Sequence, residues 1–312
     1  MAKLDQYSDT ARLCQAVVNS WPEHGRFLDK SFEGRDAALM SSTEQHASII
    51  LRVIGDDARL SKFAADYRFL CNSVLEEEIF FRRHGHYRLS RFEEALAEVY
   101  SNREFMDRYM NFLLLSHVLW ENHARAITHF ETRYLSELEH GTRHLEIGPG
   151  HGLLLHLAAK CDKIDTLTGW DVSETSIDQT RACLSAMGHT RNVNLVLQDL
   201  FDAPTPSSDD ARFGSVVLAE VLEHLEDPIA ALKAVSKHMM PGGRLWIHVP
   251  VNSPAPDHLY LLRTPEEAVD LVRAAGFDPI DHAFFPMSGK TLEMARKEEL
   301  TISAVITGQK VS

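Results

Sequence analysis

Three glycines alternate with other residues in Gly148-Pro149-Gly150-His151-Gly152, and Asp171 stands twenty-one residues beyond Gly150. Glycines at this spacing let a backbone turn sharply and approach a ligand closely. A helix start behind such a turn offers free N–H groups to the ligand, and in that setting the backbone of His151 counts for more than its ring. A carboxylate at the end of the next strand can accept both hydroxyls of a ribose. The spacing is GxGxG rather than the GxGxxG of the dinucleotide fingerprint. With Gln198-Asp199-Leu200 closing a third strand, these residues predict a nucleoside site at the carboxyl edge of a parallel sheet. A second group is Glu220, Glu223 and His224, followed later by His258. If the chain turns helical there, positions i, i+3 and i+4 share one face. Two carboxylates and two imidazoles suit Mg²⁺, Mn²⁺, Fe²⁺ or Zn²⁺. Alternatively, Glu220, His224 or His258 serves metal-free catalysis, a histidine taking a proton as general base. The same segment also reads as a plain helix start.

The elements that must position these residues change character near His140-Gly141. Before that point, apolar residues recur at helical spacing in Ala37–Ile54, Phe63–Phe81 and Phe92–Tyr100. The stretch from about Asn102 to Glu139 predicts one long helix or two in tandem, carrying His117, His123 and His129 as candidate pocket residues. After it, short apolar runs alternate with helical stretches, the signature of a parallel α/β sheet. Strands are predicted near His144–Ile147, Thr166–Trp170, Val193–Leu197, Ser215–Ala219, Arg244–Val249, Pro279–Phe284 and Leu300–Thr307. Helices are predicted over Leu153–Cys161, Ser176–Met187, Pro228–His238 and Pro265–Ala275, the last punctuated by Thr264 as N-cap and Gly276 after its end. Ser288-Gly289-Lys290-Thr291 looks like the end of a phosphate-binding loop, but position 284 is Phe, so the first glycine is missing. The organisation expected is a helical domain over residues 1–140 and an α/β domain over 141–312.

Composition narrows the function. The 312 residues carry 45 acids against 32 bases, a formal charge of −13, and the excess acid is spread over both halves. Phosphate backbones need a basic face, so no nucleic-acid partner is expected. Four scattered cysteines without a CxxC pair fit a reducing compartment. No run approaches the roughly 18 apolar residues of a membrane span, and the polar N-terminus lacks a secretory h-region. A cytoplasmic protein without membrane contact is expected.

The ordered set Glu146-x-Gly148-x-Gly150-x-Gly152, Asp171, Asp199 and Glu220-Val221-Leu222-Glu223-His224 resembles the class I S-adenosylmethionine-dependent methyltransferases, over about residues 142–312. The resemblance implies a doubly wound, Rossmann-like seven-stranded sheet with its last strand antiparallel. It implies that Glu146, Gly148, Pro149, Gly150 and Gly152 line the methionine part of S-adenosylmethionine. Asp171 and Val172 would flank the ribose. Asp199 would face the adenine amino group, with Leu200 or Phe201 on the ring and Glu220 near the methyl. Gly242-Gly243 fits the usual turn before the fifth strand. The ExxEH pattern with a later histidine is similar to the metal site of one group of RNA 2′-O-methyltransferases, and to the ExxEH of ubiquinone-pathway O-methyltransferases. The departure is the single histidine after Glu223. The activity implied is methylation of a small-molecule acceptor, such as a specialised metabolite, at O, N or C. The helical half would cap the acceptor. The alternatives are a peptide, protein or carrier-bound substrate docked by residues 1–140, and a non-catalytic nucleoside-binding scaffold.

Overall fold

A computed structural model describes residues 4–311. The chain forms two compact units. One comprises residues up to Thr128 together with Ser253–Leu261 and Phe285–Ile302. The other comprises His129–Asn252, Leu262–Phe284 and Ser303 onward. Where the sequence suggests a single boundary near residue 140, two later segments therefore return to the first unit.

The first unit is helical: α1 Ser8–Ser20, α2 Gly25–Glu33, α3 Ala37–Ile54, α4 Asp57–His84, α5 Phe92–Ala95, α6 Arg103–Leu119 and α7 Glu121–His129, whose last residue begins the other unit. Caps set several ends. Asp36, Asp56 and Asn102 accept the N–H of Leu39, Arg59 and Phe105 respectively, and α4 stops at Gly85 in the left-handed region. The long apolar stretch resolves into two helices because Trp120 is extended (φ −101°, ψ 126°). No proline or glycine stands at that break. Trp120 Nε1–H donates to the buried Tyr67 hydroxyl at 2.8 Å. A five-residue π turn, Leu96–Tyr100, continues α5. The Ser288 hydroxyl accepts the Glu121 N–H at 2.9 Å, so the Ser-Gly-Lys-Thr stretch supplies a cap to α7.

The second unit is a seven-stranded mixed sheet in the order β3-β2-β1-β4-β5-β7-β6. Its strands are β1 Thr142–Ile147, β2 Ile164–Asp171, β3 Val193–Leu197, β4 Phe213–Ala219, β5 Met239–Val251, β6 Phe277–Pro286 and β7 Ile302–Lys310. β1 to β5 pair in parallel, with α8 Leu153–Ala158, α9 Glu174–Ala186, α10 Pro228–His238 and α11 Pro265–Ala274 between strands. Parallel strands covered on both faces read as continuous apolar runs, and Val216, Val217, Leu218, Leu245, Trp246 and Ile247 are all fully buried. One expectation is corrected. Gly242-Gly243 does not precede β5 but lies inside it. Phe213 pairs with Met239 and Ser215 with Arg244, so the intervening residues of β5 bulge out. A Cβ on Gly243 would stand 2.9 Å from the Met240 carbonyl oxygen, which keeps that position glycine. No described helix is long and apolar enough to cross a membrane.

Candidate active site

Five parallel strands deliver their carboxyl ends to one edge of the sheet, where open α/β sheets bind ligands. Gly148, Gly150 and Gly152 after β1 have φ of 64°, 52° and 73°, a region nearly closed to other residues. A Cβ on Gly148 would lie 3.0 Å from Val221 Cγ2, and one on Gly152 3.1 Å from Thr180 Cγ2. The Thr180 hydroxyl reaches the Gly150 carbonyl at 2.5 Å and fixes the loop against α9. The His151 ring matters more than the sequence suggests: its Nδ1 accepts the Leu153 N–H at 3.2 Å. Burial holds that imidazole down to about 4, so it stays neutral and able to accept.

Glu146, one residue before the end of β1, is buried. Burial pushes its carboxyl up to about 8, opposed by the Leu155 N–H. Its Oε2 has no hydrogen-bond partner among the described residues. A buried carboxylate oxygen left without a donor is costly, and a ligand in the glycine loop would relieve it. Asp171 ends β2, and its Oδ1 accepts the Ser173 N–H at 2.9 Å. Partial burial raises its pKa, opposed by the Ser173 and Val172 N–H groups. Val172 and Phe201 are 64% and 57% exposed while Leu200 is buried, and Asp199 Oδ1 accepts the Phe201 N–H at 2.8 Å. Two exposed apolar side chains beside two carboxylates fit the flat ring and diol of a nucleoside. They fit the nucleoside end of the S-adenosylmethionine that the family resemblance implies.

Beyond β4 the structure departs from expectation. Glu220 is left-handed (φ 54°), and the turn that follows, Leu222–His224, is a 3₁₀ turn. A non-glycine residue there interrupts any helical run, and 3₁₀ geometry stacks i with i+3 rather than i+4. Glu220, Glu223 and His224 therefore do not share the helical face that their spacing suggests. Glu220 Oε1 instead stands 3.1 Å from Nε2 of His248 on β5, and its N–H donates to the His248 carbonyl at 2.8 Å. Glu223 is buried, with His224 Nε2 3.7 Å from its Oε1. His258 belongs to the segment of the helical unit that follows β5. His129 pairs with Asp281 at 3.2 Å, whereas His123 lies within the helical unit 3.0 Å from the Ser116 hydroxyl.

Sequence reasoning missed His248 and Asn252. An isolated histidine in an apolar strand reads as core, and nothing in its spacing points elsewhere. Asn252, just past β5, is buried and left-handed (φ 47°), with its amide nitrogen donating to the Arg263 carbonyl at 2.8 Å. Asparagine after a strand is a usable signal, because it tolerates that conformation better than most residues. Gly148, Glu220 and Asn252 thus follow the adjacent strands β1, β4 and β5, all left-handed. Non-glycine residues in this region tend to occur at functional sites.

A family model described as "Methyltransferase domain" matches residues 119–297, more than half of the chain. The ubiquinone biosynthesis O-methyltransferase of Cereibacter sphaeroides is 30% identical over 171 residues, 47% of this chain and 66% of that protein. That of Coxiella burnetii is 31% identical over 132 residues, 42% of this chain and 53% of that protein. The chain thus spans between about half and two thirds of the length of these curated relatives. Among solved structures, a SAM-dependent methyltransferase from Aquifex aeolicus aligns with a TM-score of 0.44 at 19% identity, over 59% of this chain and 93% of that one. With the family model covering residues 119–297, the chain belongs to the class I S-adenosylmethionine-dependent methyltransferases.

Proposed function

We propose that this protein transfers the methyl group of S-adenosylmethionine to a hydroxyl oxygen of a small-molecule acceptor. The observation that carries the reading is the edge where Glu146, the glycine loop, Asp171 and Asp199 stand at neighbouring strand ends. Oxygen as the atom methylated is supported by the curated relatives, both named as O-methyltransferases. The cofactor supplies an electrophilic methyl carbon. Held by the glycine loop, Asp171 and Asp199, it would pass that methyl to the acceptor oxygen, the carbon–sulfur electron pair staying on sulfur and the hydroxyl proton leaving. The protein must orient the oxygen and accept that proton. Glu220 beside His248, together with His224 and His258, are the groups we assign to that task. Residues 1–140 act as the acceptor-selecting cap.

A divalent cation on Glu223 and His224 is a second reading, favoured by the depth of the Glu223 carboxylate, whose side chain is 1% exposed. A cation would lower the pKa of an acceptor hydroxyl. Metal analysis and chelation separate the two readings. Turnover that survives excess chelator on metal-free protein supports the first, and loss restored by one metal supports the second.

The test of the main reading is incubation with methyl-labelled S-adenosylmethionine and a mixed metabolite extract, followed by mass spectrometry. A labelled small molecule is expected. Label confined to proteins or carrier-bound species would favour the docking alternative. Ordinary cofactor affinity with no label transferred would mean a non-catalytic scaffold.

A further inference from the structure

The sheet unit carries a run of buried polar side chains on one face of its central strands. Residues two apart on a strand point to the same face. His144 and Glu146 therefore share a face of β1, and β4 sets Ser215 beside His144 and Val217 beside Glu146. Tyr134, the last residue of the π turn Phe130–Tyr134, is buried and brings its hydroxyl to this face. That hydroxyl stands 2.9 Å from the Arg244 carbonyl oxygen and 2.6 Å from Ser215 Oγ. His144 Nδ1 is 2.9 Å from the same Ser215 Oγ.

The hydrogens in this chain run one way. A carbonyl oxygen only accepts, so the Tyr134 hydroxyl donates to Arg244. The short contact between the two hydroxyls then takes its hydrogen from Ser215, and Ser215 Oγ accepts from His144 Nδ1–H. Burial keeps the His144 imidazole neutral, at about 3, so Nε2 holds the lone pair. His144 Nε2 is buried with no hydrogen-bond partner among the described residues, and so is Glu146 Oε2. The two residues lie about 6.5 Å apart along β1. Internal waters typically settle between buried polar atoms that lack other partners. A carboxylate oxygen has two lone pairs, so a water on one leaves the other for a cofactor in the glycine loop.

We propose that a buried water joins His144 Nε2 to Glu146 Oε2, and that Tyr134, Ser215 and His144 act through it as positioning residues for the carboxyl that meets the cofactor. The water donates one hydrogen to His144 Nε2. It donates the other to Glu146 Oε2 when the carboxyl is ionised, and accepts from that oxygen when it carries the proton. Either way, each donor from Glu146 to the Arg244 carbonyl finds an acceptor, and a polar network satisfied in full holds its members rigidly. The chain rests on the reading that places Glu146 at the cofactor edge, and it deepens that reading.

The test uses the full-length protein and two readouts. The first is a crystal structure of the ligand-free protein with ordered waters resolved. A water within hydrogen-bond reach of both His144 Nε2 and Glu146 Oε2 is expected. The second is affinity for S-adenosylmethionine by calorimetry. Ser215→Ala removes the acceptor of His144 Nδ1–H, and His144→Phe removes both nitrogens and keeps a ring. Each should weaken binding about fivefold, within the range for coupled neighbours. In a Glu146→Met background the same two changes should cause no further loss, because the carboxyl they hold is gone. A merely structural role would lower affinity equally in both backgrounds. If Ser215→Ala is too unstable to purify, Tyr134→Phe with the same readouts takes its place. A dry gap between the two atoms, or a direct bond between them, would overturn the proposal. So would equal losses in both backgrounds, or parental affinity in Ser215→Ala and His144→Phe, while weak binding by Glu146→Met leaves Glu146 at the cofactor edge. Parental affinity in Glu146→Met would instead defeat that reading, and the chain with it.

Discussion

Among the buried histidines of each unit are two that burial keeps neutral, but their surroundings differ. In the helical unit, His24 and His123 are held at about 4 by burial. His24 Nε2 lies 2.9 Å from the Tyr67 hydroxyl, and His123 Nδ1 lies 3.0 Å from the Ser116 hydroxyl. The left-handed residues Gly55 and Gly85 end helices there, and Gly289 and Glu299 are left-handed in the returning segment Phe285–Ile302. In the sheet unit, His144 and His151 are held at about 3 and about 4, again by burial. Here the surroundings include left-handed Glu220 and Asn252 and the unsatisfied Glu146 Oε2. Burial of polar groups alone therefore does not mark a site. Burial beside left-handed backbone and an unmatched carboxylate does, because folding to such an arrangement is unfavourable without a ligand to bind.

This contrast can be broken most sharply at the glycine loop. Gly150→Val puts a β-branched residue at φ 52°. Cofactor affinity should fall at least about 100-fold, or about 2.7 kcal/mol, with the sheet intact by circular dichroism. Calorimetry showing parental affinity in a folded Gly150→Val protein would remove the loop from the site. Asp171→Ala should weaken cofactor binding by about 1.5–3 kcal/mol, the range for a hydrogen bond to a charged group. A loss under about 0.5 kcal/mol would place the ribose elsewhere.

The helical unit should respond in the opposite sense. Tyr67→Phe deletes the oxygen shared by Trp120 and His24. It should cost about 1–2 kcal/mol of stability in chemical denaturation and leave cofactor affinity unchanged. A large affinity loss there would erase the distinction between the units.

The smallest effects concern pH. The four neutral histidines become charged in the unfolded chain below their usual value near 6.5. Their contribution is intact above about 6.5 and is lost as pH falls toward about 4. Glu146 acts the other way. Its folded carboxyl keeps its proton to about 8 while the unfolded one releases it near 4.5. That contribution is present below 4.5 and is lost as pH rises through 8. Thermal melts of the ligand-free protein should show both slopes. Glu146→Gln should flatten only the alkaline one, stabilising the protein near pH 8 by about 1 kcal/mol or more while weakening cofactor binding.

The sheet was more legible than the residues that work on it. α10 matches its predicted bounds, Pro228–His238, because Asp227 caps it and Pro228 opens it. All seven strands stand where apolar runs place them, within a few residues at their ends. The glycine loop was legible because glycine takes its three φ values far more readily than other residues. Glu220 was legible as a candidate but not in its pose, since nothing local forces a glutamate into the left-handed region. His248 and the Tyr100–Asp257 hydrogen bond were not legible, because their partners lie far along the chain. Tyr100 and Asp257 are 157 residues apart, and no periodicity reports such a pair.

The threading of the helical unit carries a consequence for biosynthesis. That unit takes its first strand of chain up to Thr128 but needs Ser253–Leu261 and Phe285–Ile302 to be complete. Domains emerging from a ribosome generally fold in order, N-terminal first. Here the helices up to Thr128 lack part of their unit until residue 302 has been made. The Ser288 hydroxyl that caps α7 and the Glu298 and Glu299 carbonyls that take Arg82 arrive more than 150 residues after these helices begin. A nascent chain stalled before residue 285 would leave the Glu121 N–H and the Arg82 guanidinium without these partners. Synthesis of Phe285–Ile302 thus completes the first unit.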